Sequence, residues 1–224
     1  METPPLAVDV DGTLTDTDQA VDPRVFPVLR EWPEPVVVAT GKAAPFPVAL
    51  CEFVGIEPCA VAENGGVVVV GQTDTYAVAG DRAAVDRVTD AYRERGHDLG
   101  WGAIDLANRW RETEIAIRLD RPREPLDGLA AEEGLVVLDT GFAYHLKDPS
   151  VDKGTGLERV AAELDVDSGA FLAVGDSEND VPAFERAGEA VAVANADEQA
   201  LAAADRVTDA AYADGFLEAV EPYR

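Results

Sequence analysis

Short, continuously apolar runs alternate along this chain with helix-like stretches, and that alternation constrains the fold more than any other feature. Leu6–Val10, Pro35–Thr40 (PVVVAT), Phe171–Asp176 (FLAVGD) and Ala190–Ala194 are dominated by Val, Ala and Leu. A strand without polar alternation has no wet face, so these runs predict a parallel sheet covered by helices on both sides. Helices are expected at Pro23–Glu31, entered through Pro with Asp22 as N-cap, and at Ala44–Val54, interrupted near its start by Pro45 and Pro47. Further helices are expected at Lys153–Leu164, Glu178–Arg186, Asp197–Ala203 and the carboxyl terminus, the last preceded by a short strand at Arg206–Thr208. Cys59–Ala62 and Val67–Val70 flank Glu63-Asn64-Gly65-Gly66, which reads as a tight connection.

The middle third follows another pattern. Asp81–Arg95 and Glu124–Glu133 read as helices, and Glu114–Leu119 alternates polar and apolar like a half-exposed strand. Leu135–Thr140 and Ala143–Lys147 read as a hairpin around Thr140-Gly141. The expected class is α/β: a doubly wound parallel sheet, or Rossmann-like core, made of residues 1–78 and 150–224, with a small α+β cap of 79–149 inserted.

Charge narrows the partners. The chain carries 44 Asp and Glu against 18 Lys and Arg, a net charge of −26, which opposes nucleic acid and anionic membrane. No apolar run is long enough to span a bilayer, and Met1 is followed by Glu-Thr-Pro-Pro, so neither a membrane helix nor a secretory signal is expected. Cys51 and Cys59 have no metal or redox spacing, which fits a reduced cytoplasmic protein. Only three of the 18 cations are Lys, and the acids are spread along the chain, as suits a salt-rich cytoplasm where screening relieves self-repulsion.

Four segments carry chemistry. Asp9-Val10-Asp11-Gly12-Thr13 follows the first strand, and residues two apart on an extended chain face one way, so both carboxylates can reach one site. With 24 Asp in the chain the spacing alone means little, as Asp16/Asp18 and Asp165/Asp167 show; the place at a buried strand's end is the signal. Thr40-Gly41 ends the second strand and offers a hydroxyl and a turn amide to phosphate oxygens. Lys153-Gly154 opens a helix, where a cation is out of place unless an anion sits there too. Gly175-Asp176-Ser177-Glu178-Asn179-Asp180 clusters acids at a helix mouth beyond what capping by Ser177 explains, which suits a hard divalent cation. All four fall at carboxyl ends of strands or helix starts, where doubly wound sheets place their sites.

In this order the segments resemble the four motifs of the haloacid-dehalogenase superfamily of phosphatases, and Glu63–Gly66 with the insertion behind it resembles the branch with an α+β cap. Asn108-Arg109-Trp110-Arg111-Glu112 and Gly141-Phe142-Ala143-Tyr144-His145-Leu146 are further similar to the cap of archaeal-type phosphoglycolate phosphatases. The resemblance implies Asp9 as nucleophile forming an aspartyl-phosphate, and Asp11 as general acid and base. It implies Mg2+ held by Asp9, the Asp11 backbone carbonyl and Asp176, with Asp180 as direct or outer ligand. Thr40, Gly41 and Lys153 would hold the phosphoryl oxygens, with help from Asn179. The implied partner is a small phosphoester, 2-phosphoglycolate foremost and a sugar phosphate or phosphoglycerate-type ester otherwise; a phospho-accepting signalling domain is the distant alternative. Phosphoglycolate's carboxylate calls for a cap cation, for which Arg109, Arg111, His145 and Lys147 are the candidates. Lys42 is expected to be an exposed lysine and Trp110 a core residue, and at most one of Tyr144 and His145 can face a site.

Overall fold

The computed structural model describes residues 3–224; Met1 and Glu2, on which the reading against a secretory signal partly rests, lie outside them. The chain divides into two compact units, one running to Ala77 and resuming at Asp152, the other Val78–Val151. In chain order the first part holds β1 (Leu6–Asp9), α1 (Val25–Glu31), β2 (Val36–Ala39), α2 (Pro45–Val54), β3 (Cys59–Ala62), β4 (Val67–Val70) and β5 (Thr75–Val78). Next come α3 (Arg82–Glu94), β6 (Ile115–Arg118), α4 (Glu124–Glu132), β7 (Val136–Asp139) and β8 (Ala143–Lys147). The last part holds α5 (Lys153–Glu163), β9 (Leu172–Gly175), α6 (Val181–Phe184), β10 (Glu189–Ala192), α7 (Glu198–Ala203), β11 (Arg206–Val207) and α8 (Tyr212–Val220).

The large sheet has the order β11-β10-β9-β1-β2-β3-β4-β5. It is parallel from β11 to β3, and β4 folds back antiparallel on β3 through the Glu63–Gly65 turn. β1, β2, β3 and β9 are buried along their whole length, as their unbroken apolar runs require. Val25, Leu29, Phe216 and Val220 of α1 and α8 pack with Leu6, Val8, Leu172 and Val191. The alternate residues Ala7, Val37, Val61 and Ala173 pack with Leu157 and Val160 of α5 and with Phe184 of α6. Helices thus cover the sheet on both faces.

The second unit is a three-stranded antiparallel sheet, β6-β8-β7, with α3 and α4 packed on it around Tyr92, Ile117, Leu126 and Leu146. Contrary to the alternating pattern, β6 is not half-exposed: Ile115, Ala116 and Ile117 are all buried. Asn108 lies along its edge, donating to the Ala116 carbonyl at 2.9 Å and accepting the Ala116 N–H at 2.7 Å, so a side-chain amide stands in for a neighbouring strand.

Other boundaries shift for local reasons. α1 begins at Val25 rather than Pro23, because the Asp22 side chain accepts the Arg24 N–H at 2.9 Å in a turn ahead of the helix. α2 is uninterrupted: Pro45 opens it and Pro47 falls in the first turn, where a backbone N–H has no partner to lose. The stretch Glu178–Arg186 is a 3-10 turn at Glu178–Asp180 followed by the short α6. β5 is a short edge strand whose residues alternate between partly covered (Thr75, Ala77) and exposed (Tyr76, Val78), a run too short for the sequence pattern to mark. Trp110 is 44% exposed and belongs to no core cluster.

Candidate active site

Asp9 ends β1, paired in register with Ala39 of β2; Thr40 follows β2 and Asp176 follows β9. Three adjacent parallel strands thereby deliver the first, second and fourth segments to one sheet edge. Lys153 is the first residue of α5, whose preceding Asp152 caps it by accepting the Thr155 N–H at 2.7 Å. The Lys153 side chain is fully buried and donates to Asp9 Oδ1 at 2.7 Å, Asp180 Oδ1 at 2.6 Å and Asn179 Oδ1 at 3.1 Å. The misplaced cation at a helix start is thus matched by two carboxylates.

The acidic mouth is tightly organised. Asp180 Oδ2 accepts the N–H groups of Asp176 and Ser177 at 3.0 and 3.1 Å, so both its oxygens are engaged. Thr13 donates to Asp176 Oδ1 at 3.3 Å. Asn179 Oδ1 also accepts Ser177 Oγ at 2.8 Å, and its Nδ2 donates to Asn64 Oδ1 at 3.0 Å. Asn64, in the left-handed region at φ 51°, donates its N–H to the Thr40 carbonyl at 3.2 Å, joining the second and fourth segments. Neither Asn64 nor this bridge is marked by anything in the sequence beyond the turn itself.

Asp11 lies past the end of β1, so strand alternation does not orient it; a turn through Gly12 at φ +92° does. Its Oδ2 accepts Lys42 Nζ, which corrects the expectation of Lys42 as merely an exposed lysine: both side chains are 37% exposed. Lys42 also donates its backbone N–H to Thr40 Oγ1 at 3.1 Å. The Thr40 hydroxyl, accepting there, keeps its own proton for another acceptor. A Cβ on Gly41 would stand 3.2 Å from Asn64 Oδ1, which leaves little room for a side chain.

Electrostatics make this cluster costly as it stands. Burial pushes the Asp9 carboxyl up to about 7, opposed by Lys153 and reinforced by Asp180 and Asp11. Burial, then Asp9 and Asp180, push Asp176 up to about 9 against Lys153 and Thr13. For Lys153 burial works against the charge, but Asp180 and Asp9 outweigh it and raise its pKa. Asp9 Oδ2 is buried and makes no hydrogen bond, and oxygens of Asp9, Asp176 and Asp180 lie within 4.8 Å of one another. A buried, unpartnered carboxylate oxygen among like charges is what a hard cation would compensate, so the donor set fits a divalent metal.

In the second unit the four cap cations differ in setting. Arg109 is exposed. Arg111 and His145 are buried and share Glu114: Arg111 Nη1 pairs with Glu114 Oε1, and His145 Nδ1 lies 2.7 Å from the same oxygen. Lys147 is buried and donates to the Val151 carbonyl and, at 3.2 Å, to that of Asp148. Tyr144 is half-buried against this unit's core.

A parallel sheet with an acid–lysine cluster at its carboxyl edge and a separate α+β unit inserted is the architecture of haloacid dehalogenase-like hydrolases. The model described as haloacid dehalogenase-like hydrolase matches residues 123–220. A hydrolase of that description from Bacteroides thetaiotaomicron superposes with a TM-score of 0.81 over 100% of both chains at 18% identity. A phosphoglycolate phosphatase from Haloarcula marismortui is 68% identical over 100% of this chain and 98% of its own. One from Natronomonas pharaonis is 54% identical over 98% and 97%. The chain belongs to the haloacid dehalogenase-like hydrolases and, within them, to the family of these archaeal phosphatases. No helix among the described residues is long and apolar enough to cross a membrane.

Proposed function

We propose that this enzyme is a Mg2+-dependent phosphomonoesterase that cleaves 2-phosphoglycolate to glycolate and phosphate through a phosphoryl group held on Asp9. The observation that carries the chemistry is the buried Asp9 carboxylate, with one oxygen on Lys153 and the other unpartnered. The substrate rests on the names of the full-length relatives.

In this reading an Asp9 oxygen attacks phosphorus, the bond to the leaving oxygen breaks, and Asp11 gives its proton to the departing alkoxide. Asp11, now a carboxylate, takes a proton from water; the water oxygen attacks phosphorus and the bond to Asp9 breaks, restoring both acids. Lys42 steadies Asp11 from the turn that carries Thr40 and Gly41. Lys153, the Thr40 hydroxyl and the Gly41 amide receive the phosphoryl oxygens. Asn179 contributes by holding the Lys153 ammonium and is itself held by Asn64. A divalent cation held by Asp9, the Asp11 carbonyl and Asp176, with Asp180 behind them, would offset the charge of the arriving phosphate.

The unit Val78–Val151 acts in this proposal as the cap that selects substrate. Arg109, Arg111, His145 and Lys147 are its cations for the carboxylate of phosphoglycolate. The test is phosphate release from 2-phosphoglycolate, sugar phosphates and phosphoglycerates in molar KCl, before and after chelation and with Mg2+ restored. Full activity after exhaustive chelation would remove the metal from the proposal. Indifference among the esters would remove phosphoglycolate.

A further inference from the structure

Asn195 belongs to none of the four segments, yet it reaches the first of them. It is half-buried in the turn between β10 and α7. Its Nδ2 donates to the Gly12 carbonyl at 3.0 Å, and its Oδ1 accepts the Tyr212 N–H at 2.6 Å. Tyr212 opens α8 in the left-handed region at φ 56°, a conformation that a non-glycine residue keeps only where its surroundings hold it.

The partner of Asn195 is the most mobile type of residue in the site. Gly12 has φ +92°, and a Cβ there would stand 2.2 Å from Asp176 Oδ2. Glycine can rotate the peptide planes on either side of it at little steric cost. Both planes are pinned instead. The Gly12 N–H donates to Thr15 Oγ1 at 2.9 Å, and the Gly12 carbonyl receives Asn195. Because each peptide is planar and trans, fixing the Gly12 N–H also fixes the direction of the Asp11 carbonyl.

The same turn also grips the opposing loop. The Asp197 N–H donates to the Asp176 carbonyl at 2.8 Å, and Asp197 Oδ2 accepts the Glu178 N–H at 2.7 Å. Residues 195–197 therefore tie the loop bearing Asp9 and Asp11 to the loop bearing Asp176 and Asp180.

We infer that Asn195 is a positioning residue, which holds the Gly12 peptide against the Asp176 loop and so sets the spacing of the oxygens that fit a divalent cation. The inference rests on the metal-dependent reading above. Asn195 acts through Gly12.

Two variants separate this role from simple anchoring of α8. Asn195→Asp is isosteric; it keeps the acceptor for Tyr212 but turns an oxygen toward the Gly12 carbonyl. Asn195→Ala loses both bonds and adds no charge. Mg2+ alone is titrated calorimetrically into the chelated full chain in molar KCl, alongside melting curves. Phosphate release is then followed from 2-phosphoglycolate and p-nitrophenyl phosphate. Both variants are expected to lose about 10- to 100-fold in Mg2+ affinity and in kcat, the usual cost of removing an outer-shell partner. KM at saturating Mg2+ stays near that of the parent, and Asn195→Asp melts close to it. Mere anchoring would instead leave Asn195→Asp like the parent and weaken only Asn195→Ala, in step with its melting temperature. Parental Mg2+ affinity in both folded variants overturns the inference. A parent chain that binds Mg2+ but cleaves neither ester overturns the proposed function alone, and the titrations still decide Asn195. A parent that binds no Mg2+ overturns both.

Discussion

Lys153→Met tests the arrangement most directly, because it removes one charge from a fully buried position and changes side-chain bulk little. Lys153 gives charge-assisted hydrogen bonds at 2.7 and 2.6 Å to two carboxylates whose side chains are only 6% and 4% exposed. At roughly 1.5–3 kcal/mol for each such bond, about 3–6 kcal/mol depends on this ammonium. That agrees with the ~3–5 kcal/mol lost when one partner of a buried pair is deleted and the other charge is stranded. For a chain of this size each kcal/mol moves the melting temperature by about 2–4 °C, so the variant is expected to melt at least ~6 °C lower in chelator. Mg2+ is expected to recover part of the loss by neutralising the same carboxylates. Turnover is expected to fall about 100- to 1000-fold, the usual loss when one donor to a developing oxyanion is removed. The assays are calorimetric melting with and without Mg2+, and phosphate release. A melting temperature in chelator within 2 °C of the parent would refute the reasoning, since the carboxylates would then not need the ammonium.

Gly12→Ala places a Cβ 2.2 Å from Asp176 Oδ2 at φ +92°, so it is expected to lower the melting temperature and abolish Mg2+ binding by calorimetry. Burial pushes the Cys59 thiol up to about 12 and raises Cys51, so burial disfavours the thiolate of both in the native protein. Both are expected to react with a disulfide reagent only after denaturation. The charge of −26 is expected to make melting temperature climb with KCl as the Debye length shortens from about 10 Å at 0.1 M to about 3 Å at 1 M. A flat melting curve across that range, at fixed Mg2+, would refute the screening argument.

The sequence by itself determined the elements whose cause is local or periodic. β1, β2 and β9 are short apolar runs that can only be buried, and each ends where its polar motif begins, so Asp9, Thr40 and Asp176 could be placed at one sheet edge. Lys153 could be joined to them because a cation at a helix start requires an anion nearby. What the sequence could not determine are relations between residues far apart in the chain, since nothing in a residue's own neighbourhood encodes its distant partner. Lys42 reads as a surface lysine until the fold brings it to Asp11, and Glu114–Leu119 reads as a half-exposed strand although the fold buries Ile115, Ala116 and Ile117 alike. Arg111 and His145 read as two separate cations, and only the fold shows that they share Glu114. Asn195 carries no local signal, because its importance lies in an amide reaching a glycine carbonyl 183 residues away. Local periodicity selects strands and helices, whereas hydrogen bonds and ion pairs between loops follow from sheet order, which only tertiary packing settles.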